Sequence, residues 1–106
     1  MIRYGDEKWT ELRFEGLRYE AVRRDNQWVD VTLRVETAEE TPLPLDLIDF
    51  AILAVCTHRG DPIQLATLDE DCDSEYQLTD GEKQQIEAYI RSEDVQRAIR
   101  LAASAE

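Results

Sequence analysis

The sequence predicts an α+β fold in which a three-stranded antiparallel meander is covered by a central apolar helix and two C-terminal helices. Three observations lead to this class: the first third alternates between apolar and polar residues, the middle holds one short apolar run, and the last quarter has helical spacing. Strand signals come first and helix signals follow, which is the segregation typical of α+β domains. The 106 residues, 42% of them hydrophobic, fit one domain spanning residues 1–106.

The N-terminal meander is predicted from two turns. Glu15-Gly16 supplies a two-residue turn with a glycine that tolerates positive φ, and it would place Phe14 opposite Leu17, Leu12 opposite Tyr19 and Thr10 opposite Ala21. A three-residue loop, Asp25-Asn26-Gln27, forms the second turn. It keeps one dry face by pairing Leu17 with Val35, Tyr19 with Leu33 and Ala21 with Val31. A two-residue loop would oppose Ala21 to Asp30 and mix the faces, so the longer loop is favoured.

The other face of the meander is polar. Its residues are Glu11, Arg13, Arg18, Glu20, Asp30, Thr32 and Arg34. The same register places Trp9 opposite Val22 on this wet side, with Trp28 near that end. Tryptophans on a charged face are typical of an interaction hot spot. The alternative is that residues 1–5 or a helix cover these strand ends.

Residues 46–56 are predicted to form the central helix. Pro44 near the start, Ala51 and Ala54 inside, and Gly60 beyond the end favour a helix. Periodicity cannot separate a short buried helix from a buried strand. The alternative is a second hairpin, in which Phe50–Thr57 and Ile63–Leu68 are joined around residues 58–62.

The C-terminal quarter predicts two short helices, about 79–91 and 93–104. Thr79 and Glu82 have the spacing of a capping box ahead of the apolar residues Ile86, Tyr89 and Ile90. A second apolar stripe, Val95, Ile99 and Ala102, would lie on the opposite side of a continuous helix. The change of phase coincides with Ser92, an N-cap residue followed by two acids that suit a helix dipole.

Negative charge is concentrated in the middle of the chain. Residues 37–81 carry eleven acidic residues and one base, Arg59, whereas segments 1–36 and 82–106 each have a net charge of −1. The middle therefore holds ten of the twelve excess negative charges. Such a block is either a binding surface or a solvated face that keeps the protein soluble.

The segment 69–80 has the sharpest local pattern. Acidic side chains fall on the ligand positions of an EF-hand loop, and the weak metal candidates are Asp69, Asp71, Asp73, Glu75 and Asp80. The resemblance covers these twelve residues only and departs from the motif: Ser74 replaces the turn glycine, Tyr76 is bulky, and Asp80 is shorter than the usual glutamate. A solvated loop, a weak divalent-cation site and a binding surface for a basic partner all remain open, and no metal is assigned.

The function that we expect is that of a non-enzymatic acidic interaction protein. It would bind and block a basic surface of a partner, a nucleic-acid-binding protein or complex, as do anti-restriction or anti-CRISPR inhibitors carried by phages and mobile elements; the analogy rests on size and charge. The predicted partner-binding residues are Glu39, Glu40, Asp46, Asp49, Asp69, Glu70, Asp71, Asp73, Glu75, Asp80, Trp9 and Trp28. Direct nucleic-acid binding is not expected, because it requires lysine and arginine to neutralise phosphates.

A second hypothesis is a structural or oligomeric subunit of a virion or larger assembly. In that case Trp9, Val22 and Trp28 would form the contact, and the acids would serve solubility alone. Salt-sensitive binding of a monomer favours the first hypothesis, and a stable dimer or ring favours the second. The sequence itself leaves the oligomeric state open.

Catalytic equipment is sparse. His58 is the only histidine, so no histidine pair is available, and its place at the end of the predicted central helix suits a capping role. Asp46 and Asp49 fit a solvated first helical turn better than a general acid and base. The sequence has no glycine-rich phosphate loop, Cys-x-x-Cys cluster or nucleophile elbow, so neither enzymatic activity nor a cofactor is expected.

The cysteines and the chain start predict the compartment. Cys56 lies in the apolar run and is expected to be a small buried hydrophobe, whereas Cys72 lies between two aspartates that disfavour a thiolate. Charges interrupt residues 1–6 before any apolar stretch, so we expect no signal peptide. The apolar run Phe50–Cys56 is far shorter than the ~20 residues that span a bilayer. A cytoplasmic protein with no membrane partner is therefore predicted.

Overall fold

Seven strands and two helices form the fold in the computed structural model, which describes residues 1–105. The strands are β1 (Ile2–Arg3), β2 (Phe14–Arg23), β3 (Trp28–Thr37), β4 (Phe50–Thr57), β5 (Pro62–Asp69), β6 (Cys72–Asp73) and β7 (Tyr76–Gln77), and the helices are α1 (Asp80–Ile90) and α2 (Glu93–Ser104). Strands β2 to β6 form one antiparallel sheet in chain order, while β1 pairs with β7. The α+β class is confirmed, but the main sheet has five strands where the sequence predicted three.

The predicted central helix is wrong, because residues 50–57 form β4 in the middle of the sheet. The alternative hairpin describes this region: β4 pairs with β5, and Ala54 lies opposite Leu65. On one face Ile52 and Cys56 are fully buried, and on the other Ala51 and Val55 are 2% and 7% exposed. A central strand that is buried on both faces has a continuous apolar sequence, and that is why the run lacks the alternation of an edge strand.

The predicted Glu15-Gly16 turn is also wrong. β2 runs without interruption through this point, with a register irregularity between Phe14 and Gly16, and Gly16 lies opposite Glu36. The pairs that depended on the turn are therefore not formed. The chain before β2 leaves the sheet, and Gln85 of α1 holds it by accepting the Phe14 N–H at 2.9 Å and donating to the Leu12 carbonyl at 2.8 Å. A glycine in a strand marks an irregularity as readily as it marks a turn.

The second turn has the predicted form. The Arg24 N–H donates to the Trp28 carbonyl across the loop of residues 25–27 at 2.9 Å. The resulting register pairs Leu17 with Val35, Tyr19 with Leu33 and Ala21 with Val31. The three-residue loop is therefore confirmed, together with the polar face that contains Arg18, Glu20, Asp30, Thr32 and Arg34.

Both C-terminal helices are confirmed. The Thr79 hydroxyl accepts the Glu82 N–H at 3.1 Å, and Glu82 in turn accepts the Thr79 N–H at 2.8 Å, which completes the capping box. Helix α2 follows Ser92 and packs against β2 and β3 through Val95 and Ile99, both fully buried. No helix within residues 1–105 is long and apolar enough to span a membrane.

Candidate functional site

The β5–β6 hairpin carries the densest group of carboxylates. Asp69 pairs with Cys72, so Glu70 and Asp71 form a two-residue turn with φ angles of 50° and 66°. Two successive left-handed residues are the signature of a type I′ turn, whose twist matches that of the paired strands. The turn leaves Glu70 and Asp71 exposed at its tip, with Asp73 exposed on the return strand.

Asp69 joins this hairpin to the acidic connection that precedes β4. Its Oδ1 atom accepts the backbone N–H groups of Ile48 at 2.9 Å and Asp49 at 2.7 Å. The Glu70 N–H donates back to the Asp49 carbonyl at 3.0 Å. Two acidic segments that are twenty residues apart in sequence are therefore held side by side.

Asp46 extends the same surface toward the N-terminal segment. It accepts a hydrogen bond from the Tyr76 hydroxyl at 2.7 Å and one from the Arg3 guanidinium at 3.1 Å. The guanidinium also lies over the Tyr76 ring, 5.3 Å from its centre. Burial of the phenol, followed by its hydrogen bond to Asp46, raises the pKa of Tyr76. Tyr76 therefore stays protonated at neutral pH and acts as a donor.

A shallow depression of about 240 Å³ lies between these elements. Acidic and polar side chains dominate its wall, and none of the lining residues is basic. The lining residues are Asp46, Leu47, Asp69, Asp73, Ser74, Glu75 and Tyr76. Four of the predicted partner-binding carboxylates therefore meet at one place. We call the group Asp46, Asp69, Glu70, Asp71, Asp73 and Glu75 the acidic edge, because it lies at the β6 side of the sheet.

Arginines pair with four of the central acids, and one of these, Asp46, belongs to the acidic edge. Within residues 1–105, ion pairs join Glu40 to Arg13 at 3.6 Å, Asp46 to Arg3 at 3.1 Å, Asp49 to Arg34 at 2.7 Å, and Asp61 to Arg91 at 3.2 Å. Five carboxylates of the acidic edge make no ion pair in this part of the chain, namely Asp69, Glu70, Asp71, Asp73 and Glu75. Five of the seven acids of residues 37–81 that are unpaired within the described chain therefore lie together at residues 69–75, and the other two are Glu39 and Asp80.

Three predicted acids lie on other elements. Glu39 and Glu40 follow β3, where the Ala38 N–H donates to the Arg13 carbonyl at 2.8 Å. Asp80 begins α1, where a carboxylate suits the helix dipole. None of the three lines the acidic depression.

The predicted tryptophan patch is wrong. Trp9 and Val22 do not face each other, because the first hairpin is absent and Val22 pairs with Asp30. Trp9 is 53% exposed and lines a groove with the 42–45 segment, while Trp28 is partly buried opposite Thr57. The two indoles therefore belong to separate surfaces.

The twelve residues of the EF-hand pattern do not form one loop. Asp69 ends β5, residues 72–73 and 76–77 lie in strands of different sheets, and Asp80 is helical. Nowhere in residues 1–105 do three histidine, cysteine or acidic side chains lie close enough to share a metal ion. The weak cation-site candidate has no geometric support.

The remaining reactive side chains have ordinary structural surroundings. The His58 Nε2 atom lies 2.9 Å from the Asp25 carbonyl and joins two loops; it does not end a helix as predicted, since β4 is a strand. Cys56 is buried as predicted, and burial raises its thiol pKa to about 11. Cys72 is exposed, and neither cysteine forms a disulfide in the described part of the chain.

Two apolar residues beside Asp46 were not predicted to be exposed or to take part in binding. Leu45 and Ile48 are 101% and 78% exposed, on either side of Asp46 and Leu47. Ile48 lay in the predicted central helix of residues 46–56, and Leu45 lay just before it. Their exposure follows from the anchoring of this connection by Asp69, a contact between distant segments that no local pattern encodes.

Comparisons with protein-family models, with curated proteins and with solved structures find no match for this chain.

Proposed function

We propose that this chain is a non-enzymatic interaction protein whose acidic edge binds and blocks a basic, nucleic-acid-binding surface of a partner protein. One observation carries the proposal: five carboxylates of the acidic edge lie together at residues 69–75 without an arginine partner within residues 1–105. Arginines do pair with the acids Glu40, Asp49 and Asp61 outside the acidic edge. Surfaces that bind nucleic acid are rich in lysine and arginine. A dense group of carboxylates can therefore occupy the sites that phosphates would take.

Electrostatics explains what such a surface contributes. Uncompensated carboxylates attract a basic partner over distances comparable with the Debye length, about 8 Å at physiological ionic strength. This attraction raises the association rate and selects among partners more than it raises affinity. Affinity needs desolvated apolar contacts as well, and the exposed Leu45 and Ile48 beside Asp46 supply them. The expected partner surface is therefore basic with an apolar patch.

A defined probe tests the proposal: a lysine- and arginine-rich peptide, titrated by fluorescence anisotropy. The hairpin variant Glu70→Gln/Asp71→Asn/Asp73→Asn removes three charges and keeps the turn, because asparagine tolerates the left-handed conformation. We expect this variant to bind the peptide about tenfold more weakly than the wild type, since three favourable contacts of a few tenths to one kcal/mol are lost. Raising the salt concentration should weaken wild-type binding.

The matched control is Glu7→Gln/Glu36→Gln/Glu87→Gln, which removes the same charge from exposed positions outside the acidic edge. We expect it to change the affinity by no more than about twofold, because distant charges are screened. Equal losses in both variants would show that net charge, and not the acidic edge, governs binding. A partner that is isolated with this protein gives a further test. Duplex DNA should displace the partner from this protein, and this protein should inhibit the binding of that partner to DNA. A partner that does not bind DNA would contradict the proposal that the acidic edge occupies phosphate sites.

A further inference from the structure

β2 is an edge strand of ten residues, and no strand within residues 1–105 pairs with its outer side. β2 hydrogen-bonds only to β3 and forms one end of the main sheet, whereas β6 forms the other. An open edge presents backbone N–H and C=O groups to any strand that can pair with it. Helix α2 covers one face of β2 and leaves Tyr19 38% exposed.

The direction of each backbone group follows from the β2–β3 register. The Arg24 N–H donates to the Trp28 carbonyl, and the register is regular from Gly16 to Arg23. Antiparallel strands alternate between residues that bond inward and residues that bond outward. The even-numbered residues of β2 therefore bond to β3, and Leu17, Tyr19, Ala21 and Arg23 point their N–H and C=O groups outward. The Tyr89 hydroxyl reaches the Leu17 carbonyl from this side at 3.1 Å, which leaves that oxygen one further acceptor site.

The charges of β2 differ from those of the rest of the molecule. The whole chain carries −12, but β2 contains two acids and two arginines and is neutral. Arg18 and Glu20 are exposed on the face opposite the helices, and neither makes an ion pair with any residue from 1 to 105. They lie on either side of Tyr19.

We propose that two copies of this chain associate through their β2 edges, antiparallel about a two-fold axis at Tyr19, to form a continuous ten-stranded sheet. If the two-fold axis passes through residue 18, 19 or 20, the outward N–H and C=O groups of one copy lie opposite those of the other and can form hydrogen bonds. Centring on Arg18 places two arginines opposite each other, and centring on Glu20 opposes two glutamates. The Tyr19 register places Arg18 of each copy opposite Glu20 of the other. Directly opposed unlike charges stabilise a strand pair and like charges destabilise it, so among these three registers the charges of β2 favour the one centred on Tyr19.

An exposed leucine on α2 lies on the same side of the molecule. The Tyr19 hydroxyl of β2 donates to the Asp94 carbonyl of α2 at 3.4 Å, and Arg23 donates to the carbonyl of Ala105, the residue after α2, at 3.2 Å. Asp94 and Leu101 share one face of α2, since they are separated by seven residues, about two helical turns. Leu101, which is 68% exposed, is therefore on the same helix face as the residue that Tyr19 contacts, and in the proposed dimer it would face the second copy.

This association is independent of the acidic edge. β2 and β6 bound opposite ends of the sheet, so a dimer formed through β2 leaves both acidic edges open. Its interface is a backbone edge with paired charges and does not involve the separate Trp9 and Trp28 surfaces.

Sedimentation velocity at physiological ionic strength tests the dimer. The wild type should show a concentration-dependent monomer–dimer equilibrium. Arg18→Glu and Glu20→Arg each convert two attractive pairs into repulsive ones, so each single variant should dissociate at least about tenfold more readily. Mixing the two single variants should restore dimers, because every opposed pair is then of unlike charge. The double variant Arg18→Glu/Glu20→Arg should also dimerise.

Lys83→Glu on α1 is the control, because it makes the same charge change as Arg18→Glu at an exposed position away from β2. It should dimerise as the wild type does. A wild type that stays monomeric over about a hundredfold range of concentration overturns the proposal. A dimer that persists in both single variants also overturns it. The same holds if neither the mixture of the single variants nor the double variant forms dimers.

Discussion

A buried ion pair ties the first residue of the chain to α1. The α-ammonium group of Met1 lies 2.6 Å from the Glu82 Oε2 atom, and both groups are fully buried. The same oxygen accepts the Leu12 N–H at 2.6 Å, and the ammonium donates to the Thr10 carbonyl at 2.7 Å. Glu82 therefore does more than complete the capping box that its spacing predicted. It holds the segment ahead of β2 against the helix.

Glu82→Gln should be strongly destabilising. The substitution leaves the Met1 ammonium buried without a counter-charge, and removal of one partner of a buried pair costs about 3–5 kcal/mol. Urea unfolding followed by circular dichroism measures the change in the free energy of unfolding. Glu87→Gln, an exposed change on the same helix, should stay within about 0.5 kcal/mol of the wild type.

Acetylation of the α-amino group tests the same contact from the other side. It removes the ammonium charge and should also lower the free energy of unfolding, while adding little to the loss already caused by Glu82→Gln, because the two changes break one interaction. A Glu82→Gln protein as stable as the Glu87→Gln control would contradict the assignment.

At the scale of elements, the parts of the fold that the sequence predicts are those with local signals. The capping box at Thr79, the phase change at Ser92 and the three-residue loop after β2 each depend on a few neighbouring residues. β4 was mistaken for a helix because a buried central strand and a buried helix share an uninterrupted apolar sequence. Gly16 was mistaken for a turn because a glycine serves both turns and strand irregularities.

The candidate site shows the same division. The acidic residues could be identified from composition, but their grouping depends on contacts between distant segments. Asp69 accepts N–H groups from residues 48 and 49, and Tyr76 reaches Asp46 across thirty positions. Arginines that neutralise Asp49 and Asp61 are also distant in sequence. Which acids stay unpaired is therefore a property of the folded chain.

The β4–β5 turn gives a prediction at this scale. Gly60 adopts a φ of +99°, and a β-carbon there would collide with the side-chain amide of Gln96. That amide joins α2 to the turn by donating to the Gly60 carbonyl at 3.0 Å and to the Ile90 carbonyl at 2.8 Å. Gly60→Ala should therefore cost about 1–2 kcal/mol for the left-handed backbone, and more for the displaced Gln96.

Gly5→Ala separates these two contributions. Gly5 has a similar φ of +91°, but no atom lies within 4 Å of its β-carbon position. Gly5→Ala should show the backbone cost alone. The free energy of unfolding, measured by thermal unfolding, should therefore be lower for Gly60→Ala than for Gly5→Ala by about 1 kcal/mol or more, because Gly60→Ala also breaks the partly buried hydrogen bonds of Gln96. Equal effects would mean that Gln96 moves without cost.

At the scale of the whole molecule, the two ends of the main sheet differ in charge. The β2 strand is neutral, and in the proposed dimer its charges would lie opposite unlike charges, whereas the β6 end concentrates carboxylates that make no ion pair within residues 1–105. The fold thus separates the surface proposed to bind a second copy from the surface proposed to bind a basic partner. Three strands, β3, β4 and β5, lie between β2 and β6 and keep these two surfaces apart.

Salt should act in opposite directions on the stability of this protein and on its binding. A net charge of −12 on 106 residues repels itself in the compact state, and the exposed ion pairs recover little of that energy. Raising sodium chloride from ~0.05 to ~0.5 M shortens the Debye length from about 14 Å to about 4 Å, so the melting temperature should rise by several degrees while the basic peptide dissociates. The hairpin variant Glu70→Gln/Asp71→Asn/Asp73→Asn should already melt higher than the wild type at low salt and gain less from added salt, because part of the repulsion is gone. Thermal scans of both proteins across the salt series measure this. A melting temperature that falls with salt would mean that ion pairs such as Arg34–Asp49 outweigh the repulsion, and the hairpin charges would then be ordinary members of a balanced surface.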